Sequence, residues 1–252
     1  MTLKERKKIA EEWIKYQEND FKVIIHIGTS SPRQSRELAK HAQKIYADGV
    51  SSMSPIFYKP KSVENLVQFC SEIASAAPEQ KFYYYHIPSF TGVDYSMVDF
   101  IKCASERIPN FSGIKYTHHN LNEMKECITM NKGNLRIFHG SEEILLKGLY
   151  QGVGSAVGST YNFMPSIYLC LIENYFKGNK ERAEFKQSQA NEITKILFKY
   201  GGPITAGKVI MKFIGINLGP CRQPLSNLTP EATKNLKKEL IDTNFFDKIK
   251  KV

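Results

Sequence analysis

The chain has 252 residues, 42% hydrophobic and 24% charged, with 35 Lys and Arg against 25 Asp and Glu and a formal charge of +10. That balance excludes wholesale disorder and suits one large domain or two small ones. The basic residues are scattered, with no stripe interleaved with aromatics, and no run approaches 18 apolar residues, so nucleic-acid binding is disfavoured and no membrane span is expected.

The opening MTLKERKKIAEEW reads as a charged amphipathic helix over residues 3–17, not as a signal peptide. Short apolar or β-branched runs then alternate with helical stretches. Strands are expected at 22–27, 50–54, 82–87, 111–116, 135–139 and 155–158. Helices are expected between them at 32–47, 62–77, 96–107, 121–129 and 142–151. From residue 165 onward only helices are expected, at 165–176, 180–199, 204–214 and 230–243. Five cysteines, widely spaced and without a C-x-x-C pair, argue against a disulfide framework or a zinc site and suit a reducing cytoplasm.

The βαβα rhythm implies parallel strands with crossover helices, in a closed barrel or an open doubly wound sheet. The first βα turn, Gly28-Thr29-Ser30-Ser31-Pro32, lacks the glycine fingerprint of a dinucleotide site. The glycines at 152, 154 and 158 have the wrong spacing for one, and no phosphate loop of the G-x-x-x-x-G-K-[ST] type occurs. The expected fold is therefore an α/β (β/α)8 TIM barrel. The six strands would be its third to eighth, in a domain over 1–176, with a helical extension over 177–252 packed on it. The first strand, first helix and second strand, roughly 45–60 residues, are expected to be absent.

In such a barrel the chemistry sits at the C-terminal ends of the strands. Lys115 ends a strand after the apolar Gly113-Ile114, and alternation puts Gly113, Lys115 and Thr117 on one face. A lysine turned into a core is desolvated, which favours a neutral amine able to form a Schiff base with a ketone. A strand-end lysine that reaches water or pairs with a carboxylate fits the same pattern. Tyr85, in the run Tyr83-Tyr84-Tyr85, stands on the neighbouring strand and could relay a proton beside an imine, or simply pack. Glu142 and Glu143 open a helix, where first-turn carboxylates favour the dipole in any case, and Ser159 and Thr160 could cap the next helix. Of the six histidines, those at 86, 118, 119 and 139 lie near strand ends, but no H-x-H or H-x-x-x-H pair offers a metal site.

Four stretches in order, YYYHIPSFTGV (83–93), GIKYTHHN (113–120), FHGSEEIL (138–145) and GSAVGSTYN (154–162), resemble the sialic acid aldolases, the N-acetylneuraminate lyases. These belong to the pyruvate-dependent class I aldolase and dihydrodipicolinate synthase superfamily, and the resemblance runs from the first helix to GPCRQPL (219–225). It implies a cytoplasmic homotetramer of barrels that reversibly cleaves N-acetylneuraminate to pyruvate and N-acetylmannosamine, without a cofactor. By motif, Lys115 corresponds to the Schiff-base lysine and Tyr85 to the catalytic tyrosine. Thr117 resembles a substrate contact, and Gly140, Glu142, Glu143 and Ser159 correspond to positions that hold the sugar's hydroxyl tail. Phe90 stands where the synthases carry an arginine for a second carboxylate, Phe57 lacks a hydroxyl common there, and Glu142 replaces a frequent Asp. The family's G-T-T-G-E or G-S-T-G-E motif has no counterpart here. An inactive form that associates with complete subunits, and an aldolase for another 2-keto acid, are the alternative expectations.

Overall fold

The computed structural model describes residues 1–130 and 134–250. The chain forms two compact units, one of residues 1–140 with 151–155, the other of residues 141–150 with the chain from 156 onward. The division thus falls well before the boundary at 176 expected from the sequence. The reason is that residues 141–150 pack with later helices: the Tyr175 hydroxyl donates to the Leu149 carbonyl at 2.8 Å and the Tyr150 and Tyr175 rings meet at 5.4 Å.

The first unit alternates helix and strand in the order α1 (Leu3–Ile14), β1 (Ile24–His26), α2 (Pro32–Lys44), β2 (Gly49–Met53), α3 (Val63–Ala74), β3 (Lys81–His86), α4 (Pro88–Thr91), α5 (Met97–Arg107), β4 (Phe111–Tyr116), α6 (Leu121–Thr129) and β5 (Arg136–His139). All strand pairs are parallel and neighbours in sequence are neighbours in the sheet, so β1 is an edge. Helix starts are fixed by side-chain caps: Thr2 forms a capping box with Glu5, and Ser62, Ser96 and Asn120 accept from the third residue of α3, α5 and α6.

The two faces of the sheet differ. One face carries Ile27, Val50, Phe82, Tyr84, Ile114 and Tyr116, each at most 1% exposed. The Tyr84 ring lies 4.4 Å from Phe100 of α5, which identifies this as the helix-covered side. Burying each such side chain is worth about 1.5–3 kcal/mol. The other face carries His26, Tyr83, Tyr85, Lys115 and Phe138.

An irregularity decides which side chains of β4 reach that second face. Phe82 pairs with Phe111, but Tyr83 pairs with Gly113, so Ser112 is skipped. Phe111 still points to the helices, 6.0 Å from Phe100. The extra residue resets the alternation beyond it. Gly113 permits this turn of the backbone with φ at +142°, and a Cβ there would strike the Arg136 backbone.

Among the described residues there are five strands, not the six expected. Residues 155–158 contribute only a single bridge residue, Ala156. The His139 N–H donates to the Ser155 carbonyl at 2.9 Å, but glycines at 152, 154 and 158 weaken strand formation around that contact. The short α4 was not expected. It is set by Pro88 at its first position and by Gly92 at φ +62°, whose N–H donates to the Pro88 carbonyl at 2.7 Å.

The second unit holds a short 3-10 turn (Glu142–Ile144), α7 (Leu145–Tyr150), α8 (Pro165–Phe176), α9 (Lys180–Lys199), α10 (Gly202–Phe213), α11 (Pro230–Asp242) and α12 (Phe245–Ile249). The helix expected at 142–151 is therefore split. Gly178 at φ +74° and the Asn179 cap turn α8 into α9. Tyr168, Leu171, Ile193, Leu197, Ile210, Leu236, Leu240 and Phe245 form its core. The five-residue α12 was also unexpected; it begins at Asn244 in the left-handed region and is held by the buried Phe245.

Candidate active site

Tyr85 and Lys115 are register partners on adjacent parallel strands, so their side chains leave the same face of the sheet. The Lys115 Nζ stands over the Tyr85 ring, 4.1 Å from its centroid. Both residues are half-buried, and among the described residues no carboxylate pairs with the lysine. The lysine is thus set beside the Tyr85 ring and is not paired with a carboxylate among the described residues.

His26, on β1, completes this wall. Its ring meets the Tyr85 ring edge-on at 6.1 Å, and its Nδ1 lies 3.2 Å from the Ser51 hydroxyl. Desolvation lowers the His26 pKa to about 4, with the positive charges of Arg6 and Lys115 adding to it, although part of the ring faces solvent. The imidazole is therefore neutral at pH 7. Arg6 of α1 donates to the carbonyls of His26 and Gly28, tying the helix to the C-terminal end of β1. The sequence reading gave Arg6 and His26 no role in this site. Nothing in their spacing signals it, because the contact spans 20 residues.

Thr117 continues from β4, and its N–H donates to the His86 carbonyl at 2.9 Å. Its hydroxyl is buried, has no hydrogen-bond partner and lies against Gly140, where any side chain would collide with it. Gly140 in turn donates its N–H to the Tyr116 carbonyl at 2.8 Å. Thr117 and Gly140 are thus brought together at the ends of β4 and β5. Phe57 and Phe90 are each 83% exposed.

Behind the Tyr85–Lys115 pair, His86 and Tyr116 form the next register pair on the helix-covered face, with rings 5.4 Å apart. The Tyr116 hydroxyl donates to Glu123 Oε2 at 2.6 Å and lies 3.0 Å from the Asn120 carbonyl. Glu123 Oε1 accepts from the Met97 N–H at 2.9 Å, so one carboxylate joins β4 to the start of α5. Burial lowers the His86 pKa to about 4; Asp94, 3.8 Å away, acts in the opposite sense, and His118 adds to the lowering.

In the second unit, Glu142 and Ser159 are brought together. Glu142 Oε1 accepts from the Ser159 N–H and hydroxyl at 2.9 and 2.8 Å, and from the Thr160 N–H and hydroxyl at 3.1 and 3.2 Å. That oxygen is saturated by its own loop. Oε2 lies against Gly158, where a Cβ would collide with it. Glu143 is half-buried, and its carbonyl accepts from Asn191 Nδ2 at 3.0 Å.

A family profile described as the dihydrodipicolinate synthetase family matches residues 1–243. The N-acetylneuraminate lyase of Xenopus tropicalis is 38% identical over 249 residues, spanning 96% of this chain and 81% of that protein. That of Rattus norvegicus is 34% identical over 248 residues, spanning 97% and 78%. The solved structure of Proteus mirabilis N-acetylneuraminate lyase superposes with a TM-score of 0.93 at 36% identity, over 97% of this chain and 82% of that one. This likeness bears out the α/β TIM-barrel fold class read from the alternation of strands and helices. With the parallel register, the lysine on its strand end and the profile in agreement, the chain belongs to the dihydrodipicolinate synthetase family.

Proposed function

We propose that the chain is a Schiff-base aldolase that reversibly cleaves N-acetylneuraminate to pyruvate and N-acetylmannosamine. The observation that carries this reading is the Lys115 Nζ standing 4.1 Å from the Tyr85 ring centroid on the open face of the sheet. The relatives named as N-acetylneuraminate lyases support the choice of substrate.

Lys115 is the nucleophile. Its amine adds to the C2 ketone of the open-chain sugar acid and water leaves, giving an imine. The C4 hydroxyl then loses its proton, the C3–C4 bond breaks, and its electron pair moves through C2 to the imine nitrogen. N-acetylmannosamine departs as the aldehyde and the enamine of pyruvate remains. A proton returns to C3, and water hydrolyses the imine to release pyruvate and regenerate the amine. Tyr85 handles the protons beside the imine, together with the substrate's own carboxylate. The protonated imine is the electron sink, so the chemistry calls for no cofactor.

Thr117 and Gly140 are assigned to substrate contact at the ends of β4 and β5. Glu142, Glu143 and Ser159 are assigned to the hydroxyl tail, Glu142 through Oε2, since Oε1 is held by Ser159 and Thr160. The resemblance also supports a homotetramer working in the cytoplasm, testable by sedimentation and by cell fractionation.

Borohydride reduction in the presence of pyruvate is the direct test. It should add one three-carbon unit, and peptide mass mapping should place that unit on Lys115. Lys115→Met should abolish both the adduct and the release of N-acetylmannosamine. An adduct on another lysine, or persistence in Lys115→Met, would overturn the assignment. Turnover of other 2-keto acid aldols in preference to N-acetylneuraminate would overturn the substrate.

A further inference from the structure

The face that carries Lys115 is charged at its other end as well. Lys81 opens β3 and Arg136 opens β5, and alternation along each strand places them on the side of Tyr83, Tyr85 and Phe138. With Tyr83, Gly152, Gly154 and Ser155 they line a cavity of about 350 Å³ at the N-terminal ends of the strands. That volume falls within the range of about 300–1,000 Å³ usual for small-molecule sites.

Among the described residues neither cation has a carboxylate partner. The acid whose charge reaches Tyr83 is Asp48, and it is already taken by Lys22 at 3.2 Å and by the Val23 N–H at 2.8 Å. Gly152, at φ +91°, and Gly154 face open space where a side chain would stand, which leaves the backbone of that loop bare. A guanidinium, an ammonium and an uncovered glycine loop around one cavity present positive charge and donors with nothing negative to meet them.

We propose that this cavity is an anion site, separate from the Lys115 site, that takes a phosphate group carried either by inorganic phosphate or by a phosphorylated sugar. Two positive charges match a dianion, and the forked guanidinium suits a phosphate edge. The two ends of the face are kept apart by a layer of rings. Tyr83 and Phe138 meet edge-to-face at 5.4 Å, and Phe138 is the register partner of Lys115. Lys81 precedes Tyr85 by four residues, roughly 13 Å along a strand. Phosphate bound at one end therefore leaves the amine at the other accessible.

The test is a titration of the full chain with inorganic phosphate and, separately, with glucose 6-phosphate. Phosphorus NMR and calorimetry would follow binding, with ionic strength held constant by chloride. Saturable binding is expected, weakened about tenfold or more by Arg136→Gln and by Lys81→Gln. It should be unchanged by Lys180→Gln, a surface lysine of α9. Should Arg136→Gln fail to give a cooperative melt, Lys81→Gln, at an exposed strand start, still decides the matter. Tighter binding of the ester assigns the phosphorylated sugar, and equal binding assigns the bare phosphate. The borohydride adduct with pyruvate should form as well at saturating phosphate as without it. Binding that never saturates, equal weakening in all three variants, or loss of the pyruvate adduct in phosphate would each overturn the proposal. The first two would reduce the effect to the diffuse +10 charge, and the third would move the anion to Lys115.

Discussion

Tyr85 with Lys115 and His86 with Tyr116 are consecutive register pairs in the same two strands, yet their surroundings are opposite. The second pair is fully buried, and Tyr116 is moored to Glu123 and Asn120. The first pair is half-buried, with the Lys115 amine over the Tyr85 ring and the His26 ring edge-on to it. The contrast shows how a sheet can hold a reactive group rigidly without consuming it in contacts. The backbone shared by the two pairs is fixed from the helix side, so the side chains on the other face stay free to react.

The sharpest way to separate the two faces is Tyr85→Phe. The ring that sits under the Lys115 amine remains and the phenol oxygen goes. Turnover should fall about 10²–10⁴-fold while the borohydride adduct with pyruvate persists. Equal losses in both readouts would assign Tyr85 to holding the amine and not to proton transfer.

The next test attacks the backbone between the faces. Gly113→Ala sets a Cβ against the Arg136 backbone at a φ of +142°. It should cost about 3 kcal/mol or more, read as a lower urea midpoint. A variant as stable as the parent would show that β4 and β5 can part without loss.

The smallest effect should come from acid. Buried His86 takes up its proton near pH 4 in the folded protein, against 6.5 for an unperturbed histidine. Between those values the unfolded chain binds the proton and the folded chain does not. This contribution to stability is therefore full above pH 6.5 and is lost as pH falls towards 4. The loss is at most about 3 kcal/mol for one such group. Melting temperature against pH should decline across that window, and His86→Gln should flatten the decline. An unchanged slope in His86→Gln would assign the acid response to other groups.

Much of the fold could be read from the sequence because it repeats one local rule. Strands β3, β4 and β5 and helices α5, α6, α8 and α9 fall within a residue or so of their expected bounds, since apolar runs and helical spacing are both short-range signals. The same rule placed Tyr85 and Lys115 on neighbouring strands, but their pairing across the sheet is set by the bulge at Ser112, which no local signal announced. What escaped depends on distance or brevity. Four- and five-residue helices such as α4 and α12 are too short for a periodic signal. The expected strand at 155–158 satisfied the apolar pattern, yet only one residue of it forms a bridge. The saturation of Glu142 Oε1 by Ser159 and Thr160 joins residues 17 and 18 apart, and no local spacing encodes that.

The residue skipped at Ser112 has a consequence for how this protein could fail. Side chains along β4 obey an odd–even count, and the bulge is what sets the count so that the amine and not an isoleucine comes up beside Tyr85. Pairing Ser112 with Tyr83 in a regular ladder would leave the composition of the strand untouched while bringing Ile114 beside Tyr85 and turning the nucleophile toward the helices. A homologue with every motif residue present but no bulge at this point would then be silent through parity alone, and a search that scores residues without the register of the strand would miss it.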